Sequence, residues 1–286
     1  MQENIKNYLT SIKEFYKRIE TLDFEFNESY ENLIKEFFES TKVCCSIGDG
    51  IFPIIERITV NKRVLKENKN IRINDVNKLK YPPAACVKKY GRSNLKSQSV
   101  FYGTFNFMTA IKEMNPDKGD LITVSKWKLK KENDVLITCP IFMKQPKVGG
   151  ANLEMLNLYN RFIHDLQRFP PPIPELLFEM HKFYADCFAK KIDTNNNQGY
   201  IFTALLADKI LNHYNNGIVD AIIYPSTQEN FRTENIVIKK DSFDNKYLIF
   251  ETVEKRVIDF SEQGDKYIFE LLGKSSKIED NLILWN

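Results

Sequence analysis

Apolar residues recur along this chain at two periods, one near 3.6 and one near 2, and the switches between them outline the fold. Residues 4–22 place Ile5, Tyr8, Leu9, Ile12, Phe15, Tyr16 and Ile19 three or four apart, and residues 29–40 repeat the spacing with Tyr30, Leu33, Ile34, Phe37 and Phe38. Side chains so spaced share one face of a helix, so two amphipathic helices are predicted. They read as a helical layer packed on the rest, or as a partner-binding hairpin. Residues 44–49 read as a connecting loop, and the short apolar runs at 52–60 and 71–79 as strand or extended structure. Tyr81-Pro82-Pro83 excludes helix, because proline fixes its own φ and pushes the preceding residue toward extended conformations.

Residues 99–104 form a compact apolar strand. A helix follows over about 107–114, with Asn106 as its N-cap and Pro116 beyond its end. Strand patterns return at 121–128 and 135–142. Residues 151–214 are helical in three pieces, divided by Phe169-Pro170-Pro171-Pro172-Ile173-Pro174 and by Asp193-Thr194-Asn195-Asn196-Asn197, where rigid proline and turn-forming Asn and Asp interrupt the period. Asn215-Asn216-Gly217 suits a left-handed helix stop, and 218–224 a buried strand. From 235 onward, short alternating runs at 236–238, 247–253, 257–260, 267–272 and 282–285 predict a β-meander. The class is α+β: a mixed β-sheet core, with an N-terminal helical region over 1–48 and a domain over 49–286 that carries a helical insertion at about 144–198.

Composition removes several function classes. The 286 residues carry 41 basic and 38 acidic side chains, a net charge of +3, with basic runs no longer than pairs such as Lys88-Lys89 and Lys239-Lys240. No stripe tracks a phosphate backbone, so nucleic acid is not an expected partner. No stretch approaches the roughly 20 apolar residues of a membrane span, and the first residues lack the apolar core of a signal peptide, so no membrane partner and a cytoplasmic location are expected. Cys44, Cys45, Cys86, Cys139 and Cys187 show no CxxC spacing and read as buried thiols. With three histidines, His164, His181 and His213, and no HExxH, neither a metal centre nor a Ser-His-Asp triad is well supplied.

Four short pieces in order carry the chemistry: Tyr81-Pro82-Pro83, then Gly91-Arg92-Ser93-Asn94, then Phe101-Tyr102 leading into Thr109-Ala110-Ile111-Lys112-Glu113, and then Ile222-Ile223-Tyr224-Pro225-Ser226 with Asn235 downstream. The series resembles the RES domain, a family named for its arginine, glutamate and serine. The likeness spans about 50–255, with clear motifs at 81–113 and 217–238. It implies a fold similar to ADP-ribosyltransferases and an activity that cleaves the nicotinamide–ribose bond of NAD, which is then a substrate and not a cofactor. Many members look like toxins of toxin–antitoxin pairs, whose antitoxin is a separate helix-turn-helix protein that occludes the NAD pocket.

Breaking that bond passes through a cationic, oxocarbenium-like ribose, which a carboxylate stabilises more in the transition state than in the ground state. Glu113, on a short helix after a buried strand, is the candidate; the alternative is a solvated carboxylate paired with a neighbouring lysine. Arg92 follows a permissive glycine and has the bidentate geometry for a pyrophosphate, or is a surface arginine in a turn. Tyr102 is read as contacting the nicotinamide end or as core. Ser226, with no His or Lys near it in sequence, is read as a hydrogen-bond donor and not a nucleophile. Asn235 supports the loop or the ligand. The family's first arginine falls best on Arg57, inside an apolar run where burial of a charge demands a partner, with Arg63 and Arg72 as competitors; Ile58 follows it where some relatives have tyrosine.

Between Glu113 and Ser226 lie 112 residues, more than compact members use. The excess suggests a lid, an interface for homo-oligomers, or a target-selecting surface, with Tyr159, Phe162, Phe169 and Phe178 as packing residues. Water as acceptor makes a glycohydrolase, phosphate a phosphorylase, a protein side chain an ADP-ribosyltransferase. A catalytically inactive nucleotide-binding or protein-interaction module of the same fold is the reading from another class, and an unrelated mixed α/β protein the remaining one.

Overall fold

The computed structural model describes residues 28–40, 43–66, 69–146, 150–192, 197–261 and 266–286, and before residue 28 only Glu3, Asn7, Tyr8, Thr10, Ser11, Lys13 and Glu14. The helix expected at 4–22 thus lies for the most part outside the described residues. The one expected at 29–40 is α1, Glu28–Ser40, whose Ile34 is fully buried.

Nine strands form one mixed sheet: β1 (Gly48–Gly50), β2 (Ile54–Val60), β3 (Val100–Thr104), β4 (Leu121–Leu129), β5 (Leu136–Pro140), β6 (Ala221–Pro225), β7 (Glu234–Lys239), β8 (Tyr247–Phe260) and β9 (Tyr267–Ser275), in the order β1-β5-β6-β7-β3-β2-β4-β8-β9. Only β5 and β6 run parallel, and their connection holds the crossover helices that a parallel pair requires. These are α4 (Leu153–Leu166), α5 (Ile173–Ala189) and α6 (Ile201–Asp208). The mixed α+β class and the three helical pieces read from the sequence are therefore present. Residues 193–196, within the second separator, lie outside the described residues. At the end of this region Asn215, Asn216 and Gly217 hold φ values of 44°, 59° and 74°, the left-handed stop expected there.

A seam divides the sheet. β2 pairs with β4 along all seven of its residues and β3 with β7 along all five, but β2 and β3 meet only at Glu56↔Thr104. At the seam Gly103 is required: a Cβ there would collide with Ile55 and sit 3.3 Å from the Glu56 carbonyl oxygen. Above it lies α3 (Phe107–Met114), capped as predicted by Asn106, whose Oδ1 accepts from the Thr109 amide at 2.8 Å. Ala110 and Ile111 of α3 pack on Ile58, Val60, Ile122 and Val124. Arg63, beside β2 in the one-turn helix α2 (Asn61–Val64), closes the other end of α3, donating to the carbonyls of Met114 at 2.7 Å and Asn115 at 2.9 Å.

Several sequence expectations are corrected. Residues 48–50, the first two of them read as loop, add edge strand β1 to β5. Residues 71–79, read as strand or extended structure, hold no strand of the sheet: Asp75 is extended and bridges to Leu282, but its carboxylate accepts from the Asn77 amide at 2.9 Å and folds 76–78 into a 3₁₀ turn, so that Ile73, Val76 and Leu79 are buried at a period of three. The tail is not a simple meander. A seven-residue helix, α7 (Lys240–Lys246), carries the chain from β7 past β3, β2 and β4 to place β8 on β4. β8 is one long strand, and Leu282–Ile283 pairs with Ile278–Glu279 in a separate ribbon. Cys139 and Cys187 are buried, but Cys44 and Cys45 are half-buried and Cys86 is exposed, in a turn that the preceding prolines hold at the surface. Phe162, Tyr159 and Phe178 pack into the core, whereas Phe169 is 46% exposed. Among the described residues no helix is long and apolar enough to cross a membrane.

Candidate functional site

The seam creates the site. Where β2 and β3 diverge, the carbonyl of Tyr102 has no strand partner across the gap. The Arg57 guanidinium fills it, with Nη1 donating to the Tyr102 oxygen at 2.7 Å and the group lying 5.6 Å from the centre of the Phe101 ring. Its Nε is buried without a hydrogen-bond partner among the described residues. Burial pushes the Arg57 pKa down to about 10, so the side chain still carries its charge at neutral pH. The competing arginines go elsewhere: Arg63 caps α3, and Arg72 pairs with Glu254 at 2.8 Å and lies 5.0 Å from the Trp285 ring. Arg57 alone of the three lines the cleft.

That cleft, with a cavity volume of about 70 Å³, lies under the C-terminal half of α3 and is lined among others by Arg57, Tyr102, Glu113, Tyr224 and Asn235. Glu113 projects from the last turn of α3 and is held by residues remote in sequence. Its Oε1 accepts from Ser226 Oγ at 2.6 Å and from Asn235 Nδ2 at 2.7 Å. The Ser226 hydroxyl is itself oriented, accepting from the Glu229 amide at 3.3 Å, while the Ser226 amide donates to Thr233 O at 2.7 Å and the Phe231 amide to Ser226 O at 2.8 Å. Lys112 pairs with Glu229 at 3.0 Å, and the Thr109 hydroxyl donates to Thr233 Oγ1 at 2.9 Å. α3 and the 226–233 loop thus lock together. The lysine beside Glu113 serves that lock, and the carboxylate takes the serine and the asparagine.

No protein-family model matches the chain, and no curated protein matches it. The site therefore stands on its own geometry.

Tyr102 forms one wall of the cleft, and its hydroxyl is held from behind. It accepts from the Ser93 amide at 2.8 Å and donates to Asn94 Oδ1 at 2.9 Å. Burial raises its pKa, and that of Tyr224 beside it, so both phenols are neutral. The Gly91–Asn94 turn that presents these groups needs its glycine: a Cβ at Gly91 would run into Asn94 Oδ1 and lie 3.0 Å from the Tyr102 hydroxyl.

Arg92 has other partners than the pyrophosphate expected for it. It is not among the residues lining the cleft. Its Nη1 donates to Phe188 O and its Nη2 to Lys190 O at 3.1 Å, and it lies 5.1 Å from the centre of the Tyr200 ring. The last carbonyls of α5 lack intrahelical donors and carry partial negative charge, which a guanidinium satisfies well. Arg92 ties the helical insertion to the turn behind Tyr102. Of the candidate residues, the structure brings Arg57, Tyr102, Glu113, Ser226 and Asn235 together and sets Arg92 one layer back. Sequence reasoning missed Tyr224 as a cleft residue and Glu56 on the same rim. Alternation along β2 gives the signal for the latter, because Glu56 shares a face with Ile58 and Val60, on which α3 packs.

Proposed function

We propose that the protein is a RES-type enzyme that consumes NAD by cleaving the nicotinamide–ribose bond. The observation that carries the reading is the Glu113 carboxylate, fixed by Ser226 and Asn235 in the cleft that Arg57 enters from the seam. A preorganised carboxylate beside a developing ribosyl cation lowers the barrier without reorganising during the reaction. Two hydrogen bonds converge on one oxygen of Glu113, and the other oxygen accepts none among the described residues. The charged, partly unsatisfied Arg57 is suited to the diphosphate of the substrate, where charge-assisted hydrogen bonds are strong. Tyr102 and Tyr224 supply the flat apolar walls that a nicotinamide ring needs. Arg92 acts at one remove in this scheme, by holding the turn that orients Tyr102.

Purified protein incubated with NAD is expected to release free nicotinamide, and Glu113→Ala to reduce that release by at least about 100-fold, the range lost when one electrostatic stabiliser is removed. Equal, slow release by both proteins would sink the enzyme reading.

A further inference from the structure

We propose that Glu56 is the base that activates the acceptor in this cleft, and that the acceptor is water. The inference rests on the NAD-consuming reading above. Glu56 stands at the one residue pair joining the two halves of the sheet. Consecutive register pairs set Tyr224, Asn235, Thr104, Glu56, Lys126 and Glu251 in a single row across five strand boundaries. Paired residues share a face, so this row faces the side on which α3 lies. Asn235 holds Glu113, and Glu56 sits two strands away, roughly 10 Å along the row at the usual strand spacing. Both glutamates line the same cleft. Carboxylates that face one reacting centre with room for a water between them divide the work, one stabilising the sugar and the other taking the proton of the water.

The environment of Glu56 fits that role. Its side chain is 15% exposed and its nearest cation, Lys126 Nζ, is 3.9 Å away. Lys126 is committed to Glu251, at 2.8 Å. Glu56 Oε2 is buried with no hydrogen-bond partner among the described residues. A carboxylate oxygen desolvated without a donor is destabilising and requires an explanation; Glu254 Oε1 and Asp244 Oδ1 share that state, but of the three only Glu56 lines the cleft. Burial, with a smaller contribution from Glu251, raises the Glu56 pKa against the opposing pull of Lys126 and Lys255. That moves a carboxylate toward the range in which a general base works at neutral pH.

In the step, a water oxygen bonds to ribose C1′ while one of its protons passes to Glu56. The C1′–N bond breaks, and its electron pair returns to the nicotinamide ring, which loses its positive charge. Glu113 stabilises the ribose as the charge passes through it. The products are nicotinamide and ADP-ribose, and Glu56 releases the proton to solvent. Inorganic phosphate is already anionic, needs no base, and is repelled by a second carboxylate.

The test is steady-state NAD turnover by the full chain, with nicotinamide and the ribosyl product quantified by chromatography, with and without inorganic phosphate. Wild type is expected to give ADP-ribose under both conditions. Glu56→Gln is expected to lose about 100-fold in kcat, with KM for NAD within about twofold and an unchanged or higher Tm. Glu56→Ala is expected to be partly rescued by azide or formate, small anions that replace a missing base or nucleophile, whereas Glu113→Gln is not. The inference is overturned if Glu56→Gln turns over within about threefold of wild type, if Glu56→Ala is inactive and unresponsive to both anions, or if phosphate diverts the product to a ribosyl phosphate. Absence of nicotinamide release from wild type overturns the NAD reading itself, and this inference with it.

Discussion

Replacing Arg57 by methionine separates what the seam needs for function from what it needs for stability. The guanidinium is buried without a carboxylate, and its pKa falls from the ordinary 12.5 to about 10. That loss of proton affinity amounts to roughly 3 kcal/mol against the charged form in the folded protein. At pH 7 the arginine is charged in both folded and unfolded states, so the whole penalty is present there. It is relieved only as pH rises through about 10 toward 12.5. Methionine removes the penalty and fills the gap beside Phe101 with a flexible apolar chain. It also takes away the donor to Tyr102 O, and an orphaned buried carbonyl costs about 1–3 kcal/mol. The balance lies between no change and a gain of about 2 kcal/mol. In thermal denaturation at pH 7 the variant should melt at the wild-type temperature or several degrees above it, at about 2–4 °C per kcal/mol for a chain of this order of size. The gap should stay full up to about pH 10 and close only as pH rises beyond it, and nicotinamide release should be lost. A Tm lowered by more than about 5 °C would refute the reasoning, since it would make Arg57 a net stabiliser of the sheet and not a residue kept at a stability cost.

Two further outcomes follow from the packing around the site. His181 is buried among Phe142, Phe162 and Tyr184, with Nε2 accepting from the Ser46 amide at 3.1 Å and Nδ1 2.9 Å from Leu177 O, and burial lowers its pKa from 6.5 to about 4. The fold holds it neutral, so stability is full above about pH 6.5 and falls, by roughly 3 kcal/mol, as pH drops to about 4; urea denaturation at pH 7 and pH 4.5 should show the loss, and His181→Phe should flatten it. Gly91→Ala should displace Asn94 and Tyr102 through its Cβ, lowering Tm by several degrees and weakening NAD turnover; an unchanged Tm would show that the turn yields where the packing says it cannot.

What the sequence made legible was local. The Asn106 cap, the α3 period and the left-handed stop at Asn215-Asn216-Gly217 are each set by residues within a turn of one another, and each stands where expected. The remaining features depend on partners that spacing does not reveal. Arg92 looked like a ligand arginine because its partners, the carbonyls of Phe188 and Lys190, lie nearly a hundred residues away. The tail read as a meander because α7 is seven residues long, KDSFDNK, with only Ser242 and Phe243 buried, too short to show a period. Ser226 and Asn235 were selected by family likeness as ligand contacts. Their hydrogen bonds to Glu113 span 113 and 122 positions, a pairing that only the register of β6, β7 and β3 could bring about.

The seam between β2 and β3 also governs how the molecule can come apart. With a single residue pair across it, it is the weakest line in the sheet and the natural place to cut the protein in two. Yet neither side is a continuous stretch of chain. In sequence order β1 lies on one side, β2 on the other, β3 back on the first, β4 on the second, β5 to β7 on the first, and β8 and β9 on the second. The backbone crosses the line five times, like thread through a hem. No single truncation yields one half without unravelling the other, and fragments chosen to isolate a minimal catalytic piece should fail to fold. The two halves are stitched by the chain itself, so the residues of the cleft, drawn from both sides of the line, are held to one another by covalent connection as well as by packing.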